Sequence, residues 1–174
     1  MATTYTLISS NVLTSSASSI TFSAIPATYT DLIVRWSSRA DNASAANVNW
    51  IELNSDTGAN YSFTYIQGGG SAGVSSARGS AEAALYGGRQ DAANATSNTF
   101  GSAEMYIPNY TSSAKKPVSM DSTTEDNSTE AFRMATATLW QGTSAITSIK
   151  IRPNAGGQNF VSGSSFYLYG ISNA

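Results

Sequence analysis

Apolar residues in this chain recur at every second position, in short runs broken by Gly, Asn, Asp and Pro. That period is the mark of a strand with one buried face, because successive side chains on a pleated strand point to opposite sides. Asp31–Ser38 carries Leu32, Val34 and Trp36 on one face, with Ile33 and Arg35 opposite. Tyr61, Phe63 and Tyr65 alternate with Ser62, Thr64 and Ile66. Residues 131–140 set Phe132, Met134, Thr136, Thr138 and Trp140 against Ala135, Ala137 and Leu139. Further strand patterns lie at 5–8, 20–22, 47–54, 100–107, 146–152 and 164–171. No stretch of ten residues keeps the 3.6-residue period of a helix. Nine or ten short strands with this punctuation predict an all-β chain. The expected fold is a single jelly-roll-like antiparallel β-sandwich of about 8–10 strands with long polar loops, occupying 1–174 as one domain.

Other segments are less regular. Residues 67–80 contain three consecutive glycines and are expected to form a long loop, since glycine supports a ladder poorly. Gly87-Gly88 reads as a turn. Residues 81–86 fit either a short helix capped by Ser80 or an edge strand. The polar segment 109–130 leaves room for one short strand at 117–122.

Composition removes whole classes of chemistry. The chain has neither Cys nor His. Thiolate and imidazole nucleophiles, imidazole-held zinc or haem, and disulfides are therefore excluded. Lys and Arg number 9 against 11 Asp and Glu, and Lys115-Lys116 is the one adjacent basic pair, so no nucleic-acid partner is expected. The first residues lack the cationic and apolar regions of a signal peptide, and no stretch has the roughly 20 apolar residues that span a bilayer. Synthesis in a cytosol, with no membrane insertion, is expected. No cofactor is expected, and no residue is assigned as catalytic or as a metal ligand.

Carboxylates are the remaining catalytic apparatus. Glu52 and Glu104 lie inside strand patterns, where two acids could flank a glycosidic bond, but the alternating acid cluster of a sandwich glycosidase is missing. Pairing with arginine is the competing reading, and the chain is expected not to be an enzyme. Residues 121–130 concentrate Asp121, Glu125, Asp126 and Glu130. Calcium could use such oxygens, yet the spacing does not match the twelve-residue calcium loop, so a solvated polar loop is expected. Aromatics are the last signal. Tyr61, Tyr65, Tyr86 and Tyr110 each border a Gly- or Asn-rich segment and are the candidate glycan or partner contacts. The alternative is that they pack in a core where nine Tyr stand in for scarce Leu and Val.

Three stretches carry a resemblance. They are Tyr5-Thr6-Leu7-Ile8-Ser9-Ser10, Phe100-Gly101-Ser102-Ala103-Glu104-Met105-Tyr106-Ile107-Pro108-Asn109-Tyr110, and Asn159-Phe160-Val161-Ser162-Gly163-Ser164-Ser165-Phe166-Tyr167-Leu168-Tyr169-Gly170-Ile171. In this order they resemble small jelly-roll virion proteins of tailed bacteriophages, of the head-decoration or tail-appendage type. The resemblance implies a virion structural protein on the particle surface, assembled in the host cytoplasm. It implies a capsid decoration (cement) protein that binds across major capsid subunits and forms a homo-oligomer, a trimer being favoured. The first strand and the long loops would make the contacts. The alternative it leaves is a tail-appendage or receptor-binding domain that contacts host surface glycan. It also favours strand over helix at 81–86.

Overall fold

The computed structural model describes residues 4–70, 73–128, 130–154 and 156–172. Among them are twelve strands and no helix. In chain order these are β1 (Tyr5–Val12), β2 (Ile20–Phe22), β3 (Asp31–Ser38), β4 (Ala46–Leu53), β5 (Tyr61–Gly69) and β6 (Gly73–Glu82). They continue with β7 (Leu85–Asp91), β8 (Gly101–Ile107), β9 (Lys116–Thr123), β10 (Phe132–Trp140), β11 (Ile149–Pro153) and β12 (Ser165–Ile171). Every ladder between them is antiparallel.

One sheet has eight strands in the order β1-β12-β3-β8-β9-β10-β5-β6, and the other has four, β2-β11-β4-β7. With β5, β6, β9 and β10 set aside, the remaining eight strands, counted along the chain, pair as 1-8-3-6 and 2-7-4-5. That is the double Greek-key order of a jelly roll. The four extra strands arrive as two hairpins that widen the first sheet beyond β8.

The core forms where the four-stranded sheet covers the larger one. Phe22, Ile51, Leu53, Leu85, Ile149 and Ile151 face Val34, Trp36, Met105, Ile107, Met120, Phe166 and Leu168. Leu32, Val34 and Trp36 all turn inward, as their alternation predicts. Each such side chain contributes about 1.5–3 kcal/mol on burial, so scarce Leu and Val still suffice for a core when Trp, Tyr and Met join it.

The twelve strands exceed the expected nine or ten, and the surplus lies where glycine misled. The described residues of 67–80 are mostly strand, not loop. Residues 67–69 complete β5 and 73–80 form most of β6, with Gly68 opposite both Val74 and Arg133 in the ladders. Gly87-Gly88 is no turn but the middle of β7. Glycine is required there by close approach: a Cβ on Gly88 would stand 2.3 Å from Ser122 Cβ, and one on Gly87 2.6 Å from the Asn49 carbonyl oxygen. Residues 81–86 end β6 and begin β7, so the strand alternative holds.

Candidate functional site

The small sheet is too narrow to cover the whole inner face of the large one. Its edge strand β7 ends over the β5–β6 hairpin, and there an aromatic strip forms. Phe63 and Tyr65 share a face of β5, their rings 6.0 Å apart and 15° from parallel. The ring of Tyr86, from β7, stacks on both, at 4.6 Å from Phe63 and 5.3 Å from Tyr65. Gly79 lies opposite Phe63 in β6. A Cβ at Gly79 would come within 2.5 Å of the Phe63 ring, so the ring rests on bare backbone. Farther along β7, the Arg89 guanidinium sits 4.2 Å from the centroid of the Phe132 ring while its Nε donates to Gln67 Oε1 at 3.0 Å. Phe63, Tyr65, Gln67, Tyr86, Arg89 and Phe132 are all half-buried. Burial raises the Tyr86 hydroxyl above the usual tyrosine range, with Arg89 opposing the shift. Chemically the strip offers ring edges and a guanidinium to a sugar or to a partner's apolar side chain. It also ties the hairpin to the small sheet.

Of the four candidate tyrosines, Tyr65 and Tyr86 come together in this strip. Tyr61 and Tyr110 are fully enclosed, each with no exposed surface, and are corrected from contacts to core residues. The Tyr61 hydroxyl accepts from Leu53 N at 3.1 Å and donates to the Asp56 carbonyl at 2.9 Å. That of Tyr110 donates to the Pro26 carbonyl. Burial is the main cause that raises both hydroxyls above the usual range. Each tyrosine borders a loop because its hydroxyl pairs loop backbone that would otherwise be buried without a partner. Phe63, Arg89 and Phe132 were not among the candidates. Phe63 was findable, since it shares the alternation of Tyr61 and Tyr65, whereas nothing local marks Arg89.

The acids are committed elsewhere. Glu52, 4% exposed, accepts from Arg152 Nε at 2.8 Å and pairs with Lys150 Nζ at 3.2 Å. Glu104 is half-buried and bound to Arg35 Nε at 2.6 Å, which raises the arginine further. The two acids lie on the outer faces of different sheets. Stacked sheets are themselves about 10 Å apart, so these carboxylates are too distant to flank one glycosidic bond. In the acidic segment, Asp121 pairs with Arg133 at 2.7 Å and Glu125 accepts from Asn127 N. Asp126 accepts from the Ser128 hydroxyl at 2.6 Å, from Thr96 N and from Ser128 N, and these bonds hold its carboxyl below the usual range. Among the described residues no three acidic groups gather as a metal site. Lys116 is buried and donates to the Ser112 and Ala114 carbonyls, so Lys115-Lys116 makes no basic patch.

One end of the sandwich is organised by Arg39. Its guanidinium donates to the carbonyls of Thr96 at 2.8 Å, Thr99 at 3.0 Å, Ala95 at 3.0 Å and Ala93 at 3.3 Å, so it holds the loop that follows β7. Beside it Asp91 is 1% exposed, and its Oδ2 has no hydrogen-bond partner. Burial raises this carboxyl, helped by the charge of Asp126 and opposed by Thr99 and Arg39. A folded pKa above the unfolded value of about 3.9 stabilises the fold below that pH, and the contribution is lost as pH rises through the folded pKa. Asp91→Asn is therefore expected to raise the thermal midpoint at pH 7. The gap from wild type should close as the pH falls toward 4, which unfolding scans across that range would check.

No protein-family model matches the chain, and a search of curated proteins finds no match.

Proposed function

We propose that this chain is a structural protein of a tailed-bacteriophage virion. In this reading it is a non-enzymatic capsid decoration protein that binds across neighbouring major capsid subunits as a homo-oligomer on the particle surface. The observation that carries the reading is an apolar tyrosine face on the outside of the eight-stranded sheet. Tyr169, Ile33 and Tyr106 stand in one row across β12, β3 and β8, with Tyr167 beside Arg35 and Glu104 in the next. Ile33 is only 4% exposed although it faces outward, and the three tyrosines around it are half-buried. Two of the three stretches that resemble phage virion proteins supply β8 and β12, the strands on either side of β3. The charges on this face are paired, Arg35 with Glu104 and Arg133 with Asp121. A broad face of this kind suits a partner of similar flatness, and repetition over a shell multiplies a modest contact.

Quantitative mass spectrometry of purified particles, referenced to the major capsid protein, tests the reading. Hundreds of copies per particle are expected. Absence from particles would overturn it. A few copies to a few tens would favour the second reading, a tail-appendage domain that contacts host glycan. The Tyr65–Tyr86 strip is the specific observation behind that alternative, since partly exposed stacked rings suit a sugar face.

A further inference from the structure

The large sheet is open at both ends. β1 pairs only with β12, and β6 only with β5, so each carries a row of backbone N–H and C=O groups with no strand partner among the described residues. Such rows are templates for pairing with another chain, and native edges are commonly blunted by Lys, Pro or bulges. Neither strand contains Lys or Pro; β1 has no charge at all, and β6 has only Arg78 and Glu82. Bulges fall at Ile8 and, near the end of β6, at Ala81.

Exposed apolar side chains gather at these same two ends. Among the described residues, the large hydrophobics left exposed are Tyr5 at 47%, Leu7 at 52% and Val12 at 57% on β1, Ile66 at 56% on β5, and Val74 at 76% on β6. The cross-strand register puts them on one face. Leu7 lies in line with Tyr169, Ile33, Tyr106, Ser119, Ala137, Thr64 and Arg78, all on the outside of the sheet.

We infer that the two edges pair with each other between copies, with β6 of one copy running antiparallel to β1 of the next. One register satisfies both edges. Val74 meets Val12, Ser76 meets Ser10, the aliphatic stem of Arg78 lies over Leu7, and Ser80 meets Tyr5. Ile8 stays bulged, as it already is against β12. Every pair then keeps outer side chains on the outer face, two valines cover each other, and no like charges meet because β1 is uncharged. The occupant is a second copy of this chain because a single head-to-tail contact covers both apolar edges. Pairing β6 with β6 would leave Tyr5, Leu7 and Val12 exposed. Head-to-tail contacts generate closed rings when the rotation permits.

Charge placement tests this. Ser10 and Ser76 occupy opposite edges of one monomer, seven strand spacings or about 34 Å apart. Charges at these positions cannot couple appreciably within a copy at physiological salt. Sedimentation velocity on the purified full chain would compare two double variants. Ser10→Asp with Ser76→Asp should weaken self-association about tenfold relative to Ser10→Lys with Ser76→Asp, because the first opposes like charges across the contact and the second opposite ones. Identical association of the two doubles, or a wild-type chain that stays monomeric at about 100 μM, would overturn the contact. Circular dichroism of both variants confirms folding, since the substituted side chains lie in solvent. The outcome is independent of the particle copy number, so this contact and the decoration role stand or fall separately.

Discussion

Tyr110→Ala is expected to destabilise the fold by about 3–5 kcal/mol, a large part of the roughly 5–15 kcal/mol that holds a domain together. The ring is fully enclosed within the core cluster, and its hydroxyl donates to the Pro26 carbonyl across 84 positions of sequence. Truncation leaves a cavity and an unpaired carbonyl together. Tyr110→Phe removes only the hydroxyl and should cost about 1–2 kcal/mol. Urea unfolding of both variants measures the difference. A loss below 1 kcal/mol in the alanine variant would mean that the ring is not enclosed. The same result bears on ligand contact: a Tyr110 variant that lost binding would have lost its fold, so Tyr65 is the informative position for any glycan assay.

Gly88→Ala is the second large effect. The added Cβ would stand 2.3 Å from Ser122 Cβ and 2.5 Å from its Oγ, a distance no real contact tolerates, so β7 must move off β9. Overpacking of this kind costs about 1–3 kcal/mol. Two further interactions move with the strand: Arg89 N donates to Ser122 Oγ at 2.9 Å, and the Tyr86 ring is stacked on β5. Ser122→Gly removes the obstruction. The double variant Gly88→Ala/Ser122→Gly should therefore be more stable than the sum of the single changes by over about 1 kcal/mol. Strict additivity in a denaturant cycle would show that the close approach does not exist. Hydrogen exchange supplies a second readout, since residues of β5 and β6 should lose protection in the single Gly88 variant.

These two positions also explain how far the residues could be read in advance. Alternation over Asp31–Ser38 located β3 and its buried face because a strand whose sheet is covered on one side by a second sheet must bury every second residue. The same signal found β5, β8, β10 and β12. It failed at β6, an edge strand with nearly every residue exposed, which needs no apolar face and so shows no period. It failed at β7 because the positions that approach β9 and β4 are glycines, and glycine placed for close packing is indistinguishable locally from glycine placed for a turn.

The aromatic candidates divide the same way. Proximity to Gly- or Asn-rich segments selected four tyrosines, yet two serve as internal partners of loop carbonyls and two lie in the half-buried strip. Phe63 belonged with them by its period. Arg89 and Phe132 did not, since they meet only after β7 is laid across the hairpin.

The residues by themselves determined the all-β class, the near balance of charge and the exclusion of thiol and imidazole chemistry. Those properties depend on side-chain type and on local period, which are written along the chain. Tertiary structure alone decided the order of the strands, the widening of one sheet to eight, the fate of each tyrosine and the position of the open edges. Each of these depends on which distant backbone supplies a hydrogen-bond partner or fills the space above a residue, and no local pattern carries that information.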